Sequence, residues 1–332
     1  MPQPRVIITA PVPADLREQL AAQCEIIDVP TGAGLADALP KEQLDSIEGV
    51  VCTVRSKFDT AVFDALPRLR VVSNFAVGYD NINIPEATKR NVLVCNTPKV
   101  LDGAVADLTF GLLICLARDL VRGDAHVRSG AWAEKGAPAL TQDIRGKTLG
   151  LLGMGRIGRV VAETAKAFNM KVIYHNRNRD AEAESLGFAE YRDRDALFAE
   201  SDFLSIHVPL APETRHSVGA KEFAAMKPTA YLINTSRGPV VDEAALIDAL
   251  KAGRIAGAGL DVMEQEPLPA SSPLCALPNV VLQAHVGSAT VETRRAMIDL
   301  AVRNLLDALS GTRPQAMVNP EVWAGASETT NA

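Results

Sequence analysis

Three side chains in the second half of the sequence could together reduce a 2-oxo acid: Arg237, Glu266 and His285. Each follows a predicted parallel strand, where open α/β sheets present ligand-binding groups. Arg237 could bind the carboxylate and polarise the carbonyl, and protonated His285 could donate a proton to the carbonyl oxygen as hydride arrives. Glu266 could bond the other ring nitrogen and favour the protonated ring. Singly, they could be a surface ion pair, a solvated turn residue and a loop histidine; together they predict this chemistry.

A glycine-rich segment, "KTLGLLGMGRIGRVVAETAKAF", predicts the dinucleotide site that such a reaction needs. Gly153 permits a tight turn, Gly155 lets the backbone approach a pyrophosphate, and Gly158 lets the helix pack close to the strand. The helix N-terminus then offers free N–H groups to phosphates. The preceding strand, the following helix and a second strand that ends at residue 175 all fit this fingerprint. The predicted contacts are Gly153, Met154, Gly155, Arg156, Ile157 and Gly158.

The tip of that second strand, in "KVIYHNRNRD", predicts a preference for NADPH, with NAD as a possible alternative. A carboxylate at this position would bind the ribose 2′-OH and repel a 2′-phosphate, but the sequence has the neutral Asn176 there. Arg177 and Arg179 can form charge-assisted, fork-shaped contacts with a phosphate, and Asn178 lies between them. The competing interpretation is a solvated basic turn.

Two series of apolar runs, separated by segments of helix length, predict two doubly wound α/β lobes with parallel sheets. A further helix is expected over residues 292–309, followed at the end by a frayed polar tail, "AGASETTNA". The predicted strands of the first series are residues 5–9, 25–29, 49–53, 69–74 and 92–96. Those of the second are residues 147–153, 171–175, 202–208, 230–235, 256–262 and 280–285.

Composition places the 332-residue chain among ordinary globular proteins and allows two domains. A net charge of −6 gives no sign of nucleic-acid binding. We see no signal peptide, and the apolar run 108–117 is too short to span a bilayer. Five cysteines are scattered without metal-type spacing, so no metal site is predicted. We expect them to be reduced, in apolar surroundings, in a cytoplasmic protein.

The sequence resembles the D-isomer-specific 2-hydroxyacid dehydrogenase family, and within it the glyoxylate and hydroxypyruvate reductases. The order and spacing of five segments are more specific than any one of them, and together they span most of the chain. These segments are "SNFAVGYDNINIPEATKRNVLVCNTP", "LLGMGRIG", "NTSRGPVVDEAAL", "GAGLDVMEQEP" and "AHVGSAT".

This resemblance implies roles for individual residues. Arg237, Glu266 and His285 would be the catalytic trio, acting on a small 2-oxo or 2-hydroxy acid. The backbone at Val77 and Gly78 would hold the substrate carboxylate, with Ser288 near the substrate. The implied cofactor contacts beyond the glycine-rich turn and the basic tip are Thr235, Ser236, Asp261 and Gly287.

The resemblance also implies the domain organisation: a Rossmann coenzyme domain inserted into a flavodoxin-like substrate domain. The substrate domain would comprise residues 1–99 and 290–332, and the coenzyme domain residues 100–289. An unusually apolar predicted helix, residues 102–120, is either buried within its lobe or, as the family suggests, part of a homodimer interface.

Two other functions remain open at this stage. The segment "HVGSATVETR" also suits relatives that reduce larger 2-oxo acids, such as hydroxyphenylpyruvate or 2-ketogluconate. A nucleotide-sensing regulator on the same fold is the second alternative, but a regulator would not need Arg237, Glu266 and His285 all intact.

Overall fold

Two parallel sheets, one in each of two units, organise the computed structural model, which describes residues 2–29 and 34–323. Unit 1 comprises Met1–Leu101 and Thr290–Ala332, and unit 2 comprises Asp102–Ala289. The predicted frayed tail, residues 324–332, lies outside the described residues. The α/β class with two doubly wound sheets is confirmed.

Unit 1 contains a five-stranded sheet in the order β2-β1-β3-β4-β5, in which all pairs are parallel. This is the flavodoxin-like strand order. Both faces of the sheet carry buried apolar residues, so the sequences of its strands are continuous apolar runs. Its strands are β1 Arg5–Ile8, β2 Glu25–Ile27, β3 Ile47–Cys52, β4 Val71–Asn74 and β5 Leu93–Cys95. Its helices are α1 Ala14–Ala21, α2 Lys41–Leu44, α3 Thr60–Ala65, α4 Ile84–Lys89 and α13 Val291–Ser310, with a short 3-10 helix at Leu35–Asp37.

Unit 2 contains a seven-stranded parallel sheet in the order β12-β11-β10-β9-β6-β7-β8. The chain runs outward in one direction from β6 and in the other from β9, so the topological switch point lies between them. The strands are β6 Thr148–Leu152, β7 Lys171–His175, β8 Glu190–Tyr191, β9 Phe203–Ile206, β10 Tyr231–Asn234, β11 Gly257–Leu260 and β12 Val280–Leu282.

Helices cover both faces of this sheet. One apolar cluster packs α5 and α8 on one face, and a second packs α10, α11 and α12 on the other. The helices are α5 Asp102–Arg118, α6 Leu120–Arg128, α7 Ala131–Lys135, α8 Arg156–Ala167, α9 Ala181–Ser185, α10 Arg194–Glu200, α11 Ala220–Ala225 and α12 Glu243–Lys251. Short 3-10 helices occur at Gly238–Val240 and Pro273–Ala276.

Every strand expected from the sequence is present, and the helix expected over residues 292–309 is α13. Strand β8 was not predicted, because it has only two residues and too short an apolar pattern to recognise. The prediction of a single helix over residues 102–120 is wrong at the C-terminal end. The helix stops at Arg118, since Asp119 adopts a left-handed conformation with φ 49°, and a new helix begins at Leu120.

The expectation that all cysteines lie in apolar surroundings is also only partly right. Cys24, Cys52 and Cys95 are buried, whereas Cys115 is partly exposed and Cys275 is exposed. Burial raises the pKa of the Cys24 thiol to about 11, so that thiol stays protonated at neutral pH. All five thiols are free.

Candidate active site

The glycine-rich turn joins β6 to α8 and leaves space for a pyrophosphate. Gly153 has φ 106°, and an added Cβ would lie 2.7 Å from the carbonyl carbon of His207. A Cβ on Gly158 would lie 2.4 Å from the Gly153 oxygen, so this residue fixes how closely α8 packs. In contrast, a Cβ on Gly155 would meet no atom within 4 Å. The backbone before α8 is therefore open to a ligand, as an anion site at a helix N-terminus requires.

Arg156, the first residue of α8, is tied to the start of α5. Its Nε lies 3.2 Å from Oδ2 of Asp102, and its side chain is about half exposed. Asp102 is buried, and its other oxygen, Oδ1, has no hydrogen-bond partner among the described residues. The ion pair holds the Arg156 side chain beside the open glycine turn, where it could also contact a phosphate.

The residues at the tip of β7 have different surroundings. The Oδ1 atom of Asn176 accepts a hydrogen bond of 2.8 Å from the Met154 N–H, so this side chain stabilises the glycine-rich turn. Arg177 is exposed, and no residue within the described ranges forms a hydrogen bond or ion pair with it. Arg179 is engaged, because its Nε bonds Oε1 of Glu184 at 3.0 Å. Of the two arginines that predict a preference for NADPH, only Arg177 thus has a guanidinium available to bind a phosphate in this structure.

A buried asparagine that the sequence analysis missed shapes the turn that carries Arg237. Asn234 ends β10, and its Oδ1 accepts hydrogen bonds from both the N–H and the hydroxyl of Ser236, at 3.0 and 2.9 Å. Its Nδ2 donates to the Arg237 carbonyl at 2.9 Å. The hydroxyl of Thr235 lies 3.0 Å from that of Thr109 on α5. A polar residue that ends an otherwise apolar strand is the sequence signal that could have identified Asn234.

The Arg237 turn packs directly on the loop that carries Glu266. A Cβ on Gly238 would lie only 1.9 Å from the Met263 oxygen, so no larger residue fits there without moving one backbone segment. Met263 in turn donates its N–H to Oε1 of Glu266 at 3.2 Å. The two loops are therefore held in a fixed relation by backbone contact, and the positive charge of Arg237 favours the ionised form of Glu266.

His285 and Glu266 form a direct pair. The Nδ1 atom of His285 lies 2.7 Å from Oε2 of Glu266. Burial alone would raise the pKa of Glu266, but the hydrogen bond and charge of His285 outweigh it, and the pKa lies below the usual carboxyl range. Because Nδ1 faces a carboxylate, the ring's Nε2 is the atom left to exchange a proton with a ligand.

Asp261 supports the backbone of the loop that carries His285. It is 1% exposed, and its two oxygens accept the N–H groups of Val286 and Gly287 at 2.7 and 2.8 Å. Its carbonyl accepts the His285 N–H at 2.8 Å, although His285 has a left-handed φ of 56°. Burial raises the pKa of Asp261, and the two amide bonds oppose that rise. The backbone after β12 is thus anchored at three consecutive N–H groups.

Of the other histidines, His207 also lies at a strand end in unit 2, but its surroundings differ from those of His285. Some of its surface reaches solvent, yet protein encloses most of the ring, and this burial lowers its pKa to about 4. The ring's Nε2 lies 2.9 Å from the Ser205 hydroxyl. Burial therefore favours the neutral form of His207 at physiological pH.

In unit 1, the loop after β4 presents two N–H groups of the kind that bind a carboxylate. The carbonyls of Val77 and Gly78 each accept 2.8 Å hydrogen bonds from buried amides, Asn96 and Asn74. No described residue accepts a hydrogen bond from the N–H of Val77 or Gly78. The two asparagines thus fix the backbone of this loop while leaving the N–H groups of Val77 and Gly78 available.

Of the remaining predicted contacts, Ile157 packs against the apolar cluster of α5 and α8. The side chains of Asn178 and Ser288 make no hydrogen bonds within residues 2–29 and 34–323. Across those same residues, the structure contains no group of three or more ligating side chains able to hold a metal ion. Nor does any described helix have the length and apolarity that crossing a membrane requires.

The strand order and the glycine-rich turn define a dinucleotide-binding α/β protein, and the His285–Glu266 pair lies in the same unit. Residues 110–287 match the profile "D-isomer specific 2-hydroxyacid dehydrogenase, NAD binding domain". A glyoxylate reductase of Thermococcus gammatolerans is 43% identical over 325 residues, which cover 96% of this chain and 97% of the relative. That of Thermococcus litoralis is 50% identical over 286 residues, which cover 85% and 86%.

Solved structures agree. The NADPH-dependent glyoxylate/hydroxypyruvate reductase of Sinorhizobium meliloti, in complex with NADP and malonate, is 36% identical with a TM-score of 0.87, covering 96% of this chain and 97% of that one. The chain therefore belongs to the D-isomer-specific 2-hydroxyacid dehydrogenase family, as the sequence motifs indicated.

Proposed function

We propose that the protein reduces glyoxylate or hydroxypyruvate to the corresponding 2-hydroxy acid, of D configuration where the product is chiral, with NADPH as the preferred reductant. The observation that carries this proposal is the 2.7 Å bond between His285 Nδ1 and Glu266 Oε2. It holds one ring nitrogen of His285 against a carboxylate and leaves Nε2 as the donor atom, and a 2-oxo acid needs such a donor when its carbonyl becomes an alkoxide.

In the proposed reaction the reduced nicotinamide, when bound, supplies the hydride that adds to the carbonyl carbon. Arg237 binds the substrate carboxylate and polarises the carbonyl. His285 donates the Nε2 proton to the carbonyl oxygen, and its charge is lost as the hydroxyl forms. Glu266 stays ionised and orients the ring through Nδ1.

The names of the relatives support a small substrate, since the first eight curated relatives are all glyoxylate reductases. Initial rates with glyoxylate, hydroxypyruvate, hydroxyphenylpyruvate and 2-ketogluconate would test this proposal, each measured with NADPH and with NADH. We expect the highest kcat/KM for one of the two small acids. A preference for a larger acid would favour the alternative reductase, and no turnover with any of them would favour a nucleotide-sensing role.

The NADPH preference rests on Arg177, because it is exposed and unpaired within the described part of the chain while Asn176 brings no negative charge. A charged hydrogen bond of this kind contributes about 1.5–3 kcal/mol, or roughly ten- to a hundredfold in affinity. Arg177→Ala should weaken NADPH by about that factor and leave NADH nearly unchanged, and added salt should reduce the wild-type preference. A wild-type enzyme that used NADH as well as NADPH would contradict the proposed preference.

We also propose a homodimer, although not mainly through the helix that the sequence suggested. Most of α5 packs inside its own unit, where its side chains, such as those of Phe110 and Leu113, are buried. The large exposed apolar side chains follow it, and they are Leu120, Val121, Val127, Trp132 and Leu140. Trp132→Asp should shift the sedimentation coefficient toward that of a monomer, whereas the control Val291→Asp should not, although Val291, in unit 1, is 85% exposed and Trp132 is 60% exposed. An unchanged dimer would contradict this surface.

A further inference from the structure

Arg179 lies two residues after Arg177 in the basic turn, but a network within unit 2 holds its guanidinium. Both Nε and Nη2 bond the carboxylate of Glu184, and the Nε–Oε1 distance is 3.0 Å. The guanidinium carbon also lies 5.0 Å from the centre of the Tyr191 ring, in the range of a cation–π contact. One face and one edge of the Arg179 fork are therefore occupied, although its side chain is 64% exposed.

Glu184 is itself held in place and kept ionised. Its Oε1 accepts a 2.7 Å hydrogen bond from the hydroxyl of the buried Tyr174, and that hydroxyl accepts the Asp180 N–H at 2.6 Å. The bonds from Arg179 and then Tyr174 lower the pKa of Glu184 below its usual range, against the opposing effect of burial. The carboxylate thus stays negatively charged throughout the neutral pH range and competes with any phosphate for Arg179.

We propose that Glu184 determines cofactor specificity by withholding Arg179 from the 2′-phosphate of the dinucleotide, so that only one of the two arginines in the turn serves that phosphate. This inference rests on the proposed binding of NADPH at the basic turn. A phosphate could bind the Nε–Nη2 edge of Arg179 only by displacing a two-point bond to a carboxylate of similar strength, and the negative charge of Glu184 opposes a phosphate at the remaining edge. The network therefore moderates the preference for NADPH and keeps NADH usable.

The test measures binding directly. Isothermal titration calorimetry with adenosine 2′,5′-bisphosphate and with 5′-AMP separates the contribution of the 2′-phosphate from that of the rest of the nucleotide. Glu184→Gln keeps an acceptor for Tyr174 but removes the charge that holds Arg179. The bisphosphate should bind about tenfold more tightly, as expected for one added charged hydrogen bond, and 5′-AMP should bind as before. The ratio of kcat/KM for NADPH over NADH should rise by a similar factor.

Glu182→Gln is the matched control, because Glu182 lies on the same helix but bonds Arg159, at 2.7 Å, and not Arg179. It removes the same charge without releasing the arginine, so bisphosphate affinity should stay nearly constant. A gain in Glu182→Gln as large as in Glu184→Gln would show that general charge, and not the release of Arg179, controls affinity, and would overturn the proposal.

Two further variants test the role of Arg179 directly. Arg179→Ala alone changes an exposed side chain, and it should leave bisphosphate affinity within about twofold of wild type, because the engaged arginine makes no phosphate contact. In the double variant with Glu184→Gln, the same change should abolish the tenfold gain. A large loss in Arg179→Ala alone, or a gain that survives in the double variant, would refute the withholding role. Arg177→Ala separately decides whether the 2′-phosphate binds at this turn at all, so the two failures are distinguishable.

Discussion

Nδ1 of His285 lies 2.7 Å from Oε2 of Glu266, and the two side chains come from separate loops of unit 2. The relation depends on backbone anchors on both sides. Glu266 Oε1 accepts the Met263 N–H, and the Asp261 carboxylate accepts the N–H groups of the two residues that follow His285. The acid–base pair is therefore set by the fold of the two loops and not only by the attraction of its members.

Replacing Glu266 tests the electrostatic part of this pair. The lowered pKa of Glu266 means that the folded protein favours the ionised carboxylate. The stability that this carboxylate contributes is lost as the pH falls through that pKa. Glu266→Gln removes the charge, so the imidazolium loses support, and the pH above which reduction declines should move downward. The check is the pH profile of kcat/KM for glyoxylate reduction. An unchanged profile would remove Glu266 from the mechanism.

Replacing Arg237 tests substrate anchoring. Arg237→Lys keeps the positive charge but loses the planar fork, so two-point binding of a carboxylate is lost. We expect a raised KM for glyoxylate and a lowered kcat, measured by steady-state kinetics, with Arg254→Lys as a control on an exposed arginine of the same unit. Wild-type kinetics in Arg237→Lys would place this residue outside the site.

Replacing Asp261 separates support of the His285 loop from cofactor contact. In Asp261→Asn, one acceptor oxygen becomes a donor that faces an N–H group of Val286 or Gly287. A buried donor left unsatisfied costs about 1–3 kcal/mol, so thermal denaturation should show a lower Tm and kcat should fall. A variant with normal stability and kcat but a raised KM for NADPH would show that cofactor contact is the main role of Asp261.

Replacing Gly238 tests the contact between the Arg237 turn and the Glu266 loop. A Cβ there would lie 1.9 Å from the Met263 oxygen, so Gly238→Ala must move the Arg237 turn or the Glu266 loop. Because small displacements of catalytic groups are costly, we expect kcat/KM to fall about a hundredfold. The control is Gly111→Ala in α5, where an added Cβ meets nothing within 4 Å. Equal activity of the two variants would contradict the coupling of the loops.

The features that could be predicted from sequence are those with a local pattern. Buried parallel strands are continuous apolar runs, and the glycine-rich turn has fixed spacing, so both sheets and the dinucleotide site were predicted. Motif order also identified Arg237, Glu266 and His285, although their roles stay predictions.

What could not be predicted depends on partners far apart in the chain. Nothing in the sequence around Asn176 shows that its side chain bonds the Met154 N–H, or that Glu184 engages Arg179. Asn234 looks like one more strand-end residue until its three bonds to the Arg237 turn are seen. The end of α5 at Arg118 was missed because a left-handed Asp119 leaves no apolar signal.

The turnover of His285→Ala tests the central claim most directly. A positioned proton donor contributes about 10²–10⁴-fold, so kcat for glyoxylate reduction should fall by that factor. The dissociation constant for NADPH, measured on the same preparation, should stay near the wild-type value, because the glycine-rich turn and Arg177 are untouched. A variant that binds NADPH normally and retains near-wild-type kcat would show that His285 is structural and that another group donates the proton.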